Sequence, residues 1–394
     1  MDIAERMDQI PRIGLDIMGD QADALDGAPY RLENADSDIP PAEHVVAATR
    51  DAVGVDRYNS WLPLNGLGEL RRAAAGLSVR EGGLEYHPDT QVLITNGAQE
   101  GLASVLLALL DPGDEVITFE PAYSGIINRI RLAHGVPRFV PLVESEGWRV
   151  DLEALAAAVS DRTKAIVFNA TNMPTGVIHT TVEIDAIAHL AQRHDIWVVY
   201  SSPSSRTIFG GGGAHNIATW PGMSERTIIV DGVSKDFNLT AWRIGWVMGD
   251  ASVVEPVARA HVYNGTLTGG YQQAGVIALL NDPDAMEKDL AMRVAELRRR
   301  RDVVVDGVNS IAGLSCVRPD GGWWLLVDHR PIEADETKMA QYLLDEVNVA
   351  VTPMGTWGAA TAVGHFRIIY SNEPVARLQE AVELIGTALQ RLAE

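Results

Sequence analysis

The stretch V230-DGVSKDFNLTAWRIG-W246 decides how the rest of the chain is read. A short apolar run ends at Gly232, and Lys235 stands just beyond it. A lysine held at a strand end can be desolvated into a neutral nucleophile able to form a Schiff base with an aldehyde. Arg243, eight positions on, carries a permanent charge suited to a phosphate. Taken alone, the same spacing also fits an exposed lysine and an ion-paired arginine. The chain has few lysines, Lys164, Lys235, Lys288 and Lys338, so each is easy to weigh.

Upstream, I94-TNGAQEGLASVLLALLDPGDE-V116 places a strand end at Thr95, a turn at Gly97 and an apolar helix from Gln99. Free N–H groups and the helix dipole converge at such a start, which suits a phosphate or carboxylate. Many glycines in such turns serve only to turn the chain, so this signal also stays open.

Further strands are expected at Gln91 to Thr95, Glu115 to Phe119, Ala165 to Asn169, Ile196 to Tyr200, Thr227 to Val230 and Ile244 to Met248. Helices are expected at Gln99 to Leu110, Val182 to Arg193 and Pro374 to Leu392. Alternating strand and helix predicts an α/β fold with a mostly parallel sheet. At 394 residues, two domains are expected: a large one over 45–270, and a smaller α/β domain built from 1–44 with 271–394.

The net charge of −21 opposes nucleic acid and anionic membranes. The run Arg298 to Arg301 reads as a solvated helix face beside Glu287, Asp289 and Glu296. No apolar run reaches the roughly 18 residues of a membrane span, and the acidic start MDIAERMD is unlike a signal peptide, so a cytoplasmic location is expected. The single cysteine, Cys316, excludes an intrachain disulfide and reads as a buried structural thiol. The histidines, His179, His215 and His261 among them, show no paired ligand spacing, and no metal is expected.

The string SKDFNLTAWRIGW resembles the lysine motif of class I/II aminotransferases, the fold type I enzymes that use pyridoxal 5'-phosphate (PLP). Five other blocks are similar in the same order: NGAQEGLASVLLALLDPGDEV, PAYSGI, DRTKAIVFNATNMPTG, GGWWLLVD and FRIIYS. The resemblance runs from about Tyr58 to Ser371. It implies that Lys235 bonds PLP, with Ser234 beside it, and that Arg243 and the Gly97, Ala98, Gln99 turn hold its phosphate. It implies that Tyr123 stacks on the ring, that Tyr58 reaches the neighbouring subunit's phosphate in a homodimer with shared sites, and that Arg367 takes a substrate carboxylate.

Ring contacts depart from the family pattern. Met173 stands where the family has an asparagine, with Asn172 next to it; Ser201 stands for the aspartate paired with the ring nitrogen; Ser204 stands for a tyrosine; and Gly232 for a phosphate-binding serine. An aspartate keeps the ring nitrogen protonated and the ring electron-withdrawing, whereas serine brings no charge. The expected function is a PLP-dependent transferase-type enzyme acting on an amino acid or amine through Lys235, by transamination or by elimination, replacement or condensation. The alternative is an aminotransferase fold repurposed as a PLP-independent catalyst or small-molecule binding protein. A regulator with an added DNA-binding domain is set aside, since no room for one precedes Tyr58 and the chain is acidic. Trp61, Trp323, Trp324 and Trp357 suggest that an apolar or aromatic substrate group is accommodated.

Overall fold

The computed structural model describes residues 3–211, 213–358 and 361–393, so Met1 and Asp2 of the acidic start lie outside the described residues. Its strands in chain order are β1 (Tyr30–Arg31), β2 (Val92–Thr95), β3 (Glu115–Glu120), β4 (Val136–Val143), β5 (Arg149–Val150), β6 (Thr163–Asn169), β7 (Trp197–Ser201), β8 (Thr227–Gly232), β9 (Gly245–Met248), β10 (Trp324–Asp328), β11 (Val349–Ala350), β12 (Thr352–Pro353) and β13 (His365–Ile369).

Eight of them form one sheet in the order β2-β9-β8-β7-β6-β3-β4-β5. The run from β4 through β3, β6 and β7 to β8 is parallel, while β9 is antiparallel to both of its neighbours and β5 to β4. Helices cover both faces, and this is why β3, β8 and β9 are buried at every position and carry apolar residues on both sides of the sheet. Side-chain alternation splits the core in two. Leu93, Val116, Val167, Val199, Val230 and Val247 pack beneath the helices Ala98–Leu109 and Ala251–Asn264. Ile94, Ile117, Ile166, Val198, Ile229 and Trp246 face the other way. Leu102, fully buried in the first of these cores, contributes roughly 1.5–3 kcal/mol by its removal from water.

The six expected strands and three expected helices are present within two residues of their expected ends. Strand β4 was not expected. It carries Pro137 and Pro141 and is exposed at its start, so it lacks the apolar run that marks the central strands.

The chain leaves β3 for β4 on one side of the sheet and returns through β6 on the other. That reversal opens a crevice at the carboxyl ends of β3, β6, β7 and β8, where ligands bind in sheets of this kind. A smaller sheet, β10-β13-β12, lies C-terminal to it, and β1 pairs with β11. The helix Thr181–His194 starts with a capping box in which Thr180 and Glu183 bond each other's backbone N–H. The helix Pro283–Ser310 starts at the Asp282 cap. No helix among the described residues is long and apolar enough to cross a membrane.

The arginine run is a solvated face, as expected, only at Arg298 and Arg299. Arg300 and Arg301 are buried: Arg300 bonds Asp38 at 2.6 Å and Glu296 at 2.9 Å, and the Arg301 guanidinium lies 4.6 Å over the Phe209 ring. Tertiary partners distant in sequence pull these charges inward.

Candidate active site

A cavity of about 270 Å³ occupies the crevice. Four of the five parallel strands deliver residues to it just past their ends: Tyr123 after β3, Thr171 and Met173 after β6, Pro203 and Ser204 after β7, and Ser234 and Lys235 after β8. Asn169 and Ser201 are the last residues of β6 and β7, paired across the sheet, and both open into the cavity. Leu15 and Ala35 close it from the N-terminal part of the chain.

The Lys235 amine donates to the Ala35 carbonyl at 2.6 Å and lies 4.5 Å from the centre of the Trp323 ring. Burial, reinforced by the positive charges of Arg367 and Arg243 and only partly opposed by Asp36, pushes it down to about 7. A large share of it is therefore neutral near pH 7 and available as a nucleophile or base.

One corner suits an anion. Gly97, at φ +82°, begins the helix Ala98–Leu109 with no side-chain cap, so the first N–H groups of that helix have no side-chain acceptor at the cap. Beside it, Arg243 bonds only backbone carbonyls, of Thr240 at 2.7 Å and Asn96 at 3.3 Å. Among the described residues no carboxylate pairs with Arg243, which leaves its charge for a ligand. Gly232 lies under this corner, and a Cβ there would stand 2.9 Å from the Ile244 carbonyl. Close backbone packing of β8 against β9 thus accounts for glycine at 232.

The opposite wall is polar but uncharged. Ser201 and Ser204 are buried and line it with Met173 and Asn169, and no carboxylate lines the cavity among the described residues. Asn172 is turned elsewhere: its side-chain oxygen accepts the Thr175 hydroxyl at 2.8 Å and the Thr175 N–H at 3.3 Å. Asn169, which sequence reasoning passed over as an ordinary strand residue, is the amide that shares this wall with Met173. Its position as the final residue of an apolar run was the only available signal.

Arg367, on β13, does not line the cavity. It is fully buried, donates to the Glu33 carbonyl at 2.8 Å and to the Thr352 hydroxyl at 3.0 Å, and lies 4.7 Å over the Trp357 ring. Its Nε and Nη1 have no partner among the described residues. Burial holds this guanidinium down to about 10, a cost that an incoming anion would relieve. Trp357 in turn packs on Tyr123, ring centres 5.6 Å apart, and the Arg367 charge acts on the Lys235 amine.

Tyr58 sits in the helix Asp56–Asn59 under the Arg57 guanidinium and does not line this cavity. Of the tryptophans, Trp324 lines the cavity, Trp323 and Trp357 are buried behind it, and Trp61 is 75% exposed. His179 is buried against Phe119 and Phe168, His261 bonds Glu100 at 2.9 Å, and His215 packs on Trp220. Ligand atoms of Glu144, Asp328 and His365 come within 4.8 Å of one another. Arg330 already bonds both carboxylates, at 2.6 and 2.7 Å, and offsets one of their two charges.

The model of the family described as aminotransferase class I and II matches residues 30–385. A probable aspartate/prephenate aminotransferase of Thermus aquaticus is 35% identical over 361 residues, 91% of each chain. A probable N-succinyldiaminopimelate aminotransferase of Mycobacterium tuberculosis is 34% identical over 326 residues, covering 82% of this chain and 80% of that one. Among solved structures, aspartate aminotransferase from Thermus thermophilus with maleate superposes with a TM-score of 0.92 at 30% identity, over 98% of this chain and all of that one.

Proposed function

Because this chain belongs to the class I and II aminotransferases, a family of PLP-dependent enzymes, we propose that it moves the amino group of an α-amino acid, with Lys235 as covalent anchor and proton carrier. The observation that carries this reading is the Lys235 amine, held near neutrality in the crevice between a charged anion corner and a buried guanidinium with unused donors.

The residues fit PLP at two ends. Gly97, Ala98, Gln99 and Arg243, with Ser234 close by, offer N–H groups and a charge for its phosphate, and Lys235 offers an amine for its aldehyde. Bound there, PLP supplies an aldehyde that captures amines and a ring that withdraws electrons. Tyr123 would cover one face of the ring, with Met173, Ser201, Ser204 and Asn169 around its edge. Ser201 gives a hydrogen bond without a charge, and its lack of charge favours a second reading, elimination or replacement, in which less electron withdrawal is asked of the ring.

The chain's own groups divide the remaining work. Arg367 would take the substrate carboxylate by a two-point contact through its unpartnered Nε and Nη1. That contact turns the α-hydrogen toward Lys235, whose neutral Nζ removes a proton and returns it to a neighbouring atom. Leu15, Met173, Pro203 and Trp324 form apolar wall, and Lys235 and Arg243 are the cations among the lining residues. We therefore assign a substrate with a neutral side chain, since no further cation of this chain lines the cavity to hold a second carboxylate.

Tyr58, outside its own chain's cavity, is the residue we assign to a partner's site in a homodimer. The reading keeps the domain division at 45–270 and 1–44 with 271–394, and a cytoplasmic enzyme. The test is an absorbance spectrum before and after added PLP, with borohydride reduction, peptide mass mapping and a panel of neutral amino donors. A near-visible band that reduces onto Lys235 and shifts with an amino donor supports the reading. A colourless protein that takes up no PLP overturns it.

A further inference from the structure

Strand β7 ends in residues that alternate across the sheet. Ser201 opens into the lysine cavity, whereas Tyr200 and Ser202 line a second cavity of about 300 Å³. Its polar end is built around Arg206, which bonds Glu81 at 2.7 Å, Asp231 at 2.8 Å and Asp236 at 3.1 Å. Three carboxylates thus surround one guanidinium, Asp231 and Asp236 buried and Glu81 at the exposed rim. Asp231 and Asp236 are each pushed up by burial, Asp236 to about 7.

A second observation is independent of the carboxylates. Tyr200 is 1% exposed, its hydroxyl has no hydrogen-bond partner among the described residues, and Asp231 and Arg206 are the charges that act on it most strongly. A buried hydroxyl without a partner keeps its oxygen free to accept from a donor that the neighbouring carboxylates attract. The rest of the wall, including Leu77, Ile229, Trp246 and Met248, is apolar.

We propose that this second cavity binds an amphipathic primary amine, its ammonium group at Glu81, Asp231 and the Tyr200 hydroxyl and its apolar body against Leu77, Ile229 and Trp246. An ammonium has three N–H donors, which match two carboxylates and one hydroxyl. A divalent metal suits the site less, because it needs about six oxygens around it and its two charges would lie against the Arg206 guanidinium. The site also touches the first one indirectly. Asp236 follows Lys235 in the chain and accepts the Thr207 hydroxyl at 2.7 Å, so an amine that competes with Arg206 for Glu81 and Asp231 shifts the guanidinium beside the residue next to Lys235.

The proposal stands apart from the reading of the lysine site, and its test keeps the two separate. The probe is n-hexylamine, titrated calorimetrically into the full chain and into its Lys235→Ala variant, with 1-hexanol as the uncharged control. The expected result is saturable binding of one equivalent in both proteins, about ten-fold or more tighter than for the alcohol. Glu81→Gln should weaken it about ten-fold, and Tyr200→Phe a few-fold. Binding that disappears in Lys235→Ala would place the amine in the first cavity and overturn the proposal. So would equal affinity in Glu81→Gln, or no binding at all.

Discussion

The guanidinium of Arg243 occupies the space that a side chain on Gly97 would enter, and Gly97 holds φ +82°. Only glycine adopts this conformation freely while leaving room for the charge. Gly97→Ala should therefore displace Arg243 and raise the dissociation constant for PLP by about ten-fold or more, read by absorbance titration. Wild-type affinity in that variant would mean that the phosphate sits elsewhere.

Ser201 is buried and uncharged at the place where a ring-nitrogen acid is expected. Ser201→Asp should cost on the order of 1–3 kcal/mol of stability in the PLP-free protein, since a buried carboxylate there has no partner. With PLP added, the same variant should regain stability and speed amino transfer by about ten-fold, measured as the single-turnover spectral change with an amino donor. If neither rate nor spectrum moves, Ser201 is not beside the ring nitrogen.

Lys235 sets a pH dependence with a definite sign. Its amine titrates at about 7 in the folded protein against 10.5 as its ordinary value, so the unfolded chain binds the extra proton between those values. Stability of the PLP-free protein should therefore rise with pH across that window, and the penalty is complete below about pH 7. Lys235→Met should stabilise it at pH 7 by on the order of 1–2 kcal/mol, with the gain fading as pH approaches 10. Thermal melts at several pH values check this, and a gain independent of pH would point to packing instead.

Lys235→Ala should also remove any link to PLP that borohydride makes permanent, and lower turnover by about a thousand-fold or more. Full activity in that variant would exclude a covalent role for the lysine.

Arg367 carries two buried donors without partners. Arg367→Gln should lower kcat/KM for α-amino acids by about 10²–10³-fold and leave amines without a carboxylate little affected. In the absence of substrate the same change should raise the melting temperature, because it removes a buried charge that lacks an anion. A uniform loss for both kinds of amine would make Arg367 structural.

Much of this molecule is decided over short distances in the chain. The apolar runs of β3, β6 and β8 make strands because helices cover both faces of their sheet, and Lys235, Arg243 and Gly97 hold their places through turns and caps a few residues long. Those features were legible in the sequence and were enough for the fold, the family resemblance and the proposal of Lys235 as anchor.

Tertiary structure decided what surrounds them. Ala35 meets the Lys235 amine across 200 positions, Glu33 meets Arg367 across 334, and Arg206 reaches Glu81 across 125. Asn169 enters the cavity, and Asn172 leaves it, because of how β6 ends against β7 and how Thr175 takes up the Asn172 oxygen. Arg300 and Arg301 are buried for the same kind of reason, since their partners Asp38 and Phe209 come from remote segments. Periodicity and turn chemistry report which way a side chain leaves its own element; the charge and hydrogen bonding it meets there come from other elements, and only packing brings them together.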